Sequence, residues 1–390
     1  MSETLEQAAA RRLPLEESHA SAGATMVERD GWLVPASYGD AAAEYKVVRG
    51  GEGAGLFDLS SRGRVEVSGK EAVQFLNGLI TNDVKALAPG AWMTAAFPNA
   101  QGRLLALARV MRPRDEDTFL FDTEAATHEV VFKNLERFTL AGDFKVKDLT
   151  DETMALSVQG ARASVIVRAA LGEEAAQVGH NRAAVVAWRE SRNVTVARAT
   201  HTSEDGFDLI IGNDGARELW DALVASGARP VGYDALEVLR VEAGVVRYGV
   251  DVDASNVVLE AGLDEAVSYT KGCYVGQEII ARIHWRGHVA KKLTGLVLED
   301  EGDSAADANA LATGATIKNT DASREIGRVT SVVFSPRLQK RIALGIVKYD
   351  FLAPGTEVLI KDAARARRAR VCALPFVYGS WHVEDAEAKS

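Results

Sequence analysis

Cysteine is nearly missing from this chain: Cys273 and Cys372 are the only thiols in 390 residues. Two such distant residues cannot build a disulfide framework, and their scarcity fits a reducing compartment, so a cytoplasmic location is expected. They are also too few for an iron–sulfur cluster, which usually takes four cysteine-type ligands; a cluster touching this protein would need most of its ligands from partners. Long apolar runs are absent too. Nothing approaches eighteen uninterrupted apolar residues, so no membrane span or membrane partner is expected. The opening "MSETLEQAAARRLPLEESHA" has early acids and no apolar core, and reads as neither a secretory signal nor a transit peptide. Positive charge is in deficit: the net charge of −10 argues against a nucleic-acid partner bound over the whole surface.

What is present is an ordinary soluble composition, in a chain too long for one hydrophobic core. In "GRVEVSGKEAVQFLNGLITNDV", Val65 and Val67 alternate with Arg64 and Glu66 as on a half-buried strand. From Ser68 the period becomes helical, and Ser68 with Glu71 has the form of a capping box. "WMTAAFPNAQGRLLALARVMR" reads as two strands joined by a turn at Asn99–Gly102. A second strand–helix set spans about 153–245. It includes a helix from about Gly215 to Ser226, and another in "YDALEVLRVEAG" with Asp234 as cap and Gly244 at its end. Beyond Lys291, short strands separated by Gly, Pro, Asp or Asn predict a small antiparallel barrel, with Glu299–Ala312 an exposed loop. The expected fold class is α+β. Residues 1–290 form two βαβ-rich halves (about 25–150 and 151–290), and 291–384 a C-terminal β-barrel.

Several motifs fail. "VSGKEA" lacks the first glycine and the Ser or Thr of a phosphate-binding loop, and "RGGEGAG" has the wrong spacing for a dinucleotide site. His284 and His288 are four apart, but Gly287 intervenes and Ile283 and Val289 suggest strand; they read as surface histidines, and no metal site is expected.

The segment "KGCYVGQE" is different. Cys273 follows Lys271 and precedes Arg282, Arg286 and Lys291, and neighbouring cations favour the reactive thiolate. Gly272 and Gly276 permit a sharp turn or a close approach, while Gln277 and Glu278 can anchor the loop. A small buried thiol beside an ordinary turn is the competing reading. For Cys372, inside the strand pattern "RVCALPF", burial is expected. Trp285 is placed either on a cavity floor or in plain packing. The basic set Arg337, Lys340, Arg341, Arg365, Arg367, Arg368 and Arg370 reads as a solvated strand face or a landing site for an acidic ligand.

"KGCYVGQE", with Tyr274 after the cysteine, resembles the signature of the YgfZ-type folate-binding proteins, helpers of iron–sulfur enzyme maturation. "AGLFDLSSRGRVEVSGKEAVQFLNGLITNDV", "SEDGFDLII", "LEVLRVEAG" and "SPRLQKRIALGIV" resemble the blocks of their parent family, the folate-dependent aminomethyltransferases typified by the glycine-cleavage T-protein. The resemblance runs from about residue 25 to 380. It implies two ferredoxin-like halves around a folate pocket, a C-terminal barrel, and tetrahydrofolate or a derivative as cofactor. It also implies an essential aspartate after the "N-x-x-G" turn. Here 103–110 contains no carboxylate, and Ala106 and Leu107 stand at that place, which counts against aminomethyl transfer. Asp208, Arg240, Glu242 and Trp285 are the candidate folate contacts, and Leu236 replaces a family arginine. The leading expectation is a folate-binding accessory protein for iron–sulfur enzymes acting through Cys273, with assembly factors or client enzymes as partners. The alternatives are a tetrahydrofolate-dependent one-carbon transferase with its acid elsewhere, and a non-catalytic folate scaffold.

Overall fold

The computed structural model describes residues 9–382 apart from 115, 138, 140–141, 190–191, 300–310 and 362–365. The strand Gly63–Ser68 and the helix Ala72–Leu79 follow the change of period in the sequence. That strand lies in a five-stranded antiparallel sheet with Ala91–Pro98, Leu104–Arg112, Thr118–Thr123 and Lys145–Asp148. The Asn99 side-chain oxygen accepts from the Gln101 and Arg103 amides at 2.9 and 3.0 Å, which closes the turn between the 91–98 and 104–112 strands. Apolar residues of the helices Ala72–Leu79 and His128–Glu136 cover one face of this sheet, among them Leu76, Val131 and Leu135 against Val65, Ala106 and Phe121.

A six-stranded sheet takes up Thr153–Gln159, Ala183–Trp188, Arg192–Arg198 and Gly206–Gly212. The strand Gly55–Asp58 also joins it, pairing antiparallel with 156–159, so the second sheet borrows a strand from the first half of the chain. The helices Ala163–Leu171 and Ala216–Ala225 cover its outer face. The inner faces of both sheets meet the helices Ala41–Arg49 and Tyr233–Glu242 in a shared core that includes Phe57, Met111, Ile210 and Leu239. Helix 233–242 ends as the sequence predicts. Gly244 takes φ +68°, its amide bonds to the Val241 carbonyl, and the Val245 amide to that of Arg240.

The C-terminal strands form a closed six-stranded barrel: Lys291–Leu298 pairs with both Lys340–Lys348 and Ala366–Cys372. A further core joins it to the rest through Leu104, Val258, Tyr274 and Ile280 against Leu293 and Ile342. Among the described residues no helix is long and apolar enough to cross a membrane.

Four local expectations need correction. Ser68 forms no capping box, because it is held in the sheet between Thr118 and Lys145; Glu71 instead accepts from the Asp143 amide. Gly232 occupies the cap of helix 233–242, and Asp234 lies in its first turn, where a carboxylate still faces the positive end of the helix dipole. Residues Gln277–Arg286 are helical rather than strand, since Ile279, Ile280 and Ile283 recur at the spacing of one helical face. The basic set is split by the strand's twofold alternation: Arg341 and Arg367 are buried, whereas Arg368 and Arg370 are exposed and Arg370 pairs with Glu299 and Glu357. Arg365 and most of the Glu299–Ala312 loop lie outside the described residues.

Candidate functional site

Alternation along the 104–112 strand decides what its side chains meet. Ala106 packs in the helix-side core, while Leu107 and Arg109 line a cavity of about 290 Å³ whose wall also includes Trp92, His201, Tyr248 and Glu265. Of the two positions where the sequence lacks a carboxylate, only Leu107 therefore faces this space. A second chamber of about 80 Å³ shares Arg62, Glu124, His201, Val245 and Val246 with the first, and adds Tyr233, Glu237 and Arg240. The two chambers are neighbours that share these five residues, with apolar and aromatic walls in the first and paired charges in the second.

The charged groups are tightly partnered. Arg62 donates to Asp122 and Glu124, both at 2.7 Å. Arg240 pairs with Glu237 and with Asp251 at 2.6 Å, and reaches Ser331 of the barrel at 2.6 Å. Burial drives the Glu237 carboxyl upward, but Arg240 and Arg29 outweigh it and hold the group down to about 2. A carboxylate depressed in the folded state adds stability that is present above its unfolded pKa, near 4.3, and lost as pH falls toward the folded value; the shift corresponds to about 3 kcal/mol. About 2 kcal/mol of this is gone by about pH 3. Urea titrations at about pH 6 and about pH 3 should therefore show a drop in stability roughly 2 kcal/mol smaller in Glu237→Gln than in the parent protein. Equal drops would mean that the ion pairs do not bias this carboxyl.

Asp208 sits just behind the wall. Its carboxylate accepts from His201 Nε2 at 2.9 Å and from an Arg109 guanidinium nitrogen, and neither oxygen lines the cavity. Burial raises this carboxyl, yet His201 and Arg109 together hold it well below the usual carboxylate range. Arg109 in turn lies over the Trp92 ring, 4.8 Å from its centroid. Sequence reasoning missed His201. Its signal was a histidine seven residues before Asp208 on the loop that leads into the same strand.

The other candidate contacts divide. Arg240 is on the wall. Glu242 is fully buried away from it, accepting from Tyr45 at 2.8 Å, Arg49 at 2.9 Å and Ser335 at 2.5 Å. Trp285 is 69% exposed and lines neither chamber; it contacts His284 and Tyr269 edge-on. His284 stacks on Tyr269 and His288 on Tyr349, and among the described residues no three His, Cys, Asp or Glu side chains gather as metal ligands.

In the thiol loop Cys273 is exposed, not buried, though it is on the wall of neither chamber. Lys271 turns inward instead of toward the sulfur: its ammonium donates to the Ile80 and Asn82 carbonyls at 2.8 and 2.7 Å, and burial pushes it down to about 8. Tyr274 is buried beside it. Gly276 takes φ +76° with its Cα packed on the Asn99–Gly102 turn, where a Cβ would lie 2.4 Å from the Asn99 carbonyl. Gly272 has no such crowding, and the Gln277 and Glu278 side chains make no hydrogen bond among the described residues, so the loop is anchored by Lys271, Tyr274 and Gly276. Asn82 links this anchor to the cavity, since its amide donates to the carbonyls of Thr94 and Glu265 on the rim. Cys372 is half-buried in the barrel, where burial pushes its thiol up to about 11.

Residues 15–271 match the GCVT N-terminal domain, and residues 291–377 the glycine cleavage T-protein C-terminal barrel domain. The chain is 34% identical to an aminomethyltransferase of Rubrobacter xylanophilus over 367 residues, 94% of each protein. It is 31% identical to one from Moorella thermoacetica, covering 94% of this chain and 97% of that one. The crystal structure of the glycine cleavage system aminomethyltransferase T from Bartonella henselae superposes with a TM-score of 0.85 at 26% identity, over 95% of this chain and 99% of that one. With both domains matched in order and the fold shared almost end to end, the chain belongs to the glycine cleavage T-protein family of aminomethyltransferases.

Proposed function

We propose that this chain binds a reduced folate in the cavity between its sheets and transfers a one-carbon unit to or from it. The observation that carries the reading is the wall itself: Trp92, Leu107, Tyr248 and Val246 offer flat apolar surface, and Glu124 and Glu265 offer carboxylate acceptors in the same space. A volume of about 290 Å³ is at the low end of ligand pockets, about 300–1,000 Å³, and suits a bicyclic ring with its tail extending outward. A carboxylate accepts the paired N–H groups of a 2-amino-pyrimidinone edge, so Glu124 and Glu265 in the first chamber, with Glu237 in the second, replace Asp208 and Glu242 as the acids available for contact. Leu107 supplies no proton chemistry, so the family's usual acid has to be substituted from another part of the wall.

The test is binding of 5-formyltetrahydrofolate followed by tryptophan fluorescence. Saturable quenching is expected between about 1 μM and 1 mM, the range usual for enzyme substrates. It should be largely lost in Trp92→Phe. Absence of saturable binding, or quenching that survives unchanged in Trp92→Phe, sinks this reading.

A second reading is favoured by one specific observation, the exposed thiol on an anchored loop. In it the protein is a folate-binding accessory factor for iron–sulfur enzymes, with Cys273 exchanging with a disulfide or persulfide, or briefly holding a cluster edge supplied by a partner. Cys273→Ala should then abolish the activity of cluster-dependent enzymes in a deletion strain at normal protein levels. Full complementation by that variant leaves one-carbon transfer, or a folate scaffold with an inert cysteine.

A further inference from the structure

We infer that His201 is the proton-transferring residue of the cavity, with Asp208 and Arg109 as its positioning residues. This deepens the folate reading and rests on it. His201 belongs to the walls of both chambers. Its backbone amide is fixed to the Gln159 side chain at 3.0 Å, and its Nε2–H points at Asp208 at 2.9 Å. Nδ1 has no hydrogen-bond partner among the described residues and is not sealed from solvent. The carboxylate at Nε2 fixes the tautomer that leaves Nδ1 as a base, the arrangement that a general acid–base histidine requires.

The charges around the ring support that role. Asp208 on the 206–212 strand accepts from the ring, and Arg109 on the 104–112 strand shares the same carboxylate. Arg62 and Glu124, paired with each other at 2.7 Å, lie on both walls; the second chamber adds Glu237, paired with Arg29 and Arg240, and the first adds Glu265. The imidazole therefore sits among paired charges. It stands close to Arg109, two residues beyond Leu107 on the same strand face, and so near the place where the sequence carries no acid.

The step is a redox-neutral exchange, R–X–CH2Y + R′2N–H → R′2N–CH2Y + R–X–H. His201 Nδ1 takes the proton of the acceptor nitrogen as the new nitrogen–carbon bond forms. It then gives that proton to X, which has kept the electron pair of the broken X–C bond. Formaldehyde hydrate is the simplest donor of this form, with X oxygen and Y hydroxyl; the N-hydroxymethyl product then closes on the second folate nitrogen, its hydroxyl leaving with that nitrogen's proton as water.

The experiment uses the full chain with tetrahydrofolate and formaldehyde, reading methylene-tetrahydrofolate formation above the protein-free rate. His201→Gln should lower kcat by at least about 10²-fold with KM for tetrahydrofolate nearly unchanged. In ¹⁵N-histidine spectra of the free protein, His201 should show the Nε2–H tautomer. Asp208→Asn should disturb that tautomer, and Asp208→Glu should partly restore both tautomer and kcat. If the parent protein fails to bind 5-formyltetrahydrofolate, the folate reading itself has failed. With binding intact, the proposal alone is overturned by any of three results: no acceleration by the parent protein, unchanged kcat in His201→Gln, or a tautomer indifferent to residue 208.

Discussion

Glu242→Leu is expected to lower the stability of the fold by about 3–5 kcal/mol, the cost of leaving a buried charge without its partner. Glu242 ends the helix 233–242 and is fully buried. Its carboxylate gathers Tyr45 and Arg49 from the helix 41–49 and Ser335 from the barrel, and its backbone carbonyl accepts from the Phe376 and Val377 amides. Arg49 is itself buried and would keep only Glu204, at 2.8 Å. One residue thus ties the helical layer, the barrel and the C-terminal segment. Glu242→Gln retains an acceptor for Tyr45 and should lose less than the leucine variant. Urea unfolding checks both, and a loss below about 1 kcal/mol in Glu242→Leu would show that the network relaxes around the change.

Gly276→Val should be nearly as damaging, about 2–4 kcal/mol, by a different route. A side chain at φ +76° is strained, and its Cβ would sit against the Asn99 carbonyl, a backbone atom that cannot rotate away. The strain falls where the thiol loop rests on the hairpin turn leading to Leu107 and Arg109. The variant should therefore also shift the reactivity of Cys273 toward thiol reagents and weaken folate binding. Gly272→Ala, at a position with open space, is the control and should change stability by less than about 1 kcal/mol. Equal effects at the two glycines would show that the close approach at 276 carries no weight.

Much of the architecture was legible because its signals are local. The switch from twofold to helical period near Ser68, the Asn99 turn and the six short strands after Lys291 each declare themselves within a few residues. The capping box at Ser68 was misread because sheet pairing claimed that residue first. The helix 277–286 was misread because Ile283 and Val289 were weighed without Ile279 and Ile280. The site was harder. A carboxylate in "VEAG" has the same appearance in sequence whether it faces a ligand or a buried arginine, and only the approach of Arg49, nearly two hundred positions away, decides it. His201 was overlooked for a related reason: Asp208 is only seven residues on, but the cavity that gives the pair a role exists only once a loop, two sheets and the turn after helix 233–242 have come together.

The ring of six strands at the C-terminus has a consequence for behaviour in concentrated solution. Because its first strand bonds to both neighbours and the ring closes, the described strands of that domain leave no open sheet edge for another molecule to extend. One outer rim of the five-stranded sheet is the short segment Lys145–Asp148, whose two lysines are exposed and repel an approaching strand of like charge. At these two places the molecule is built to resist growing into fibrils through its own backbone.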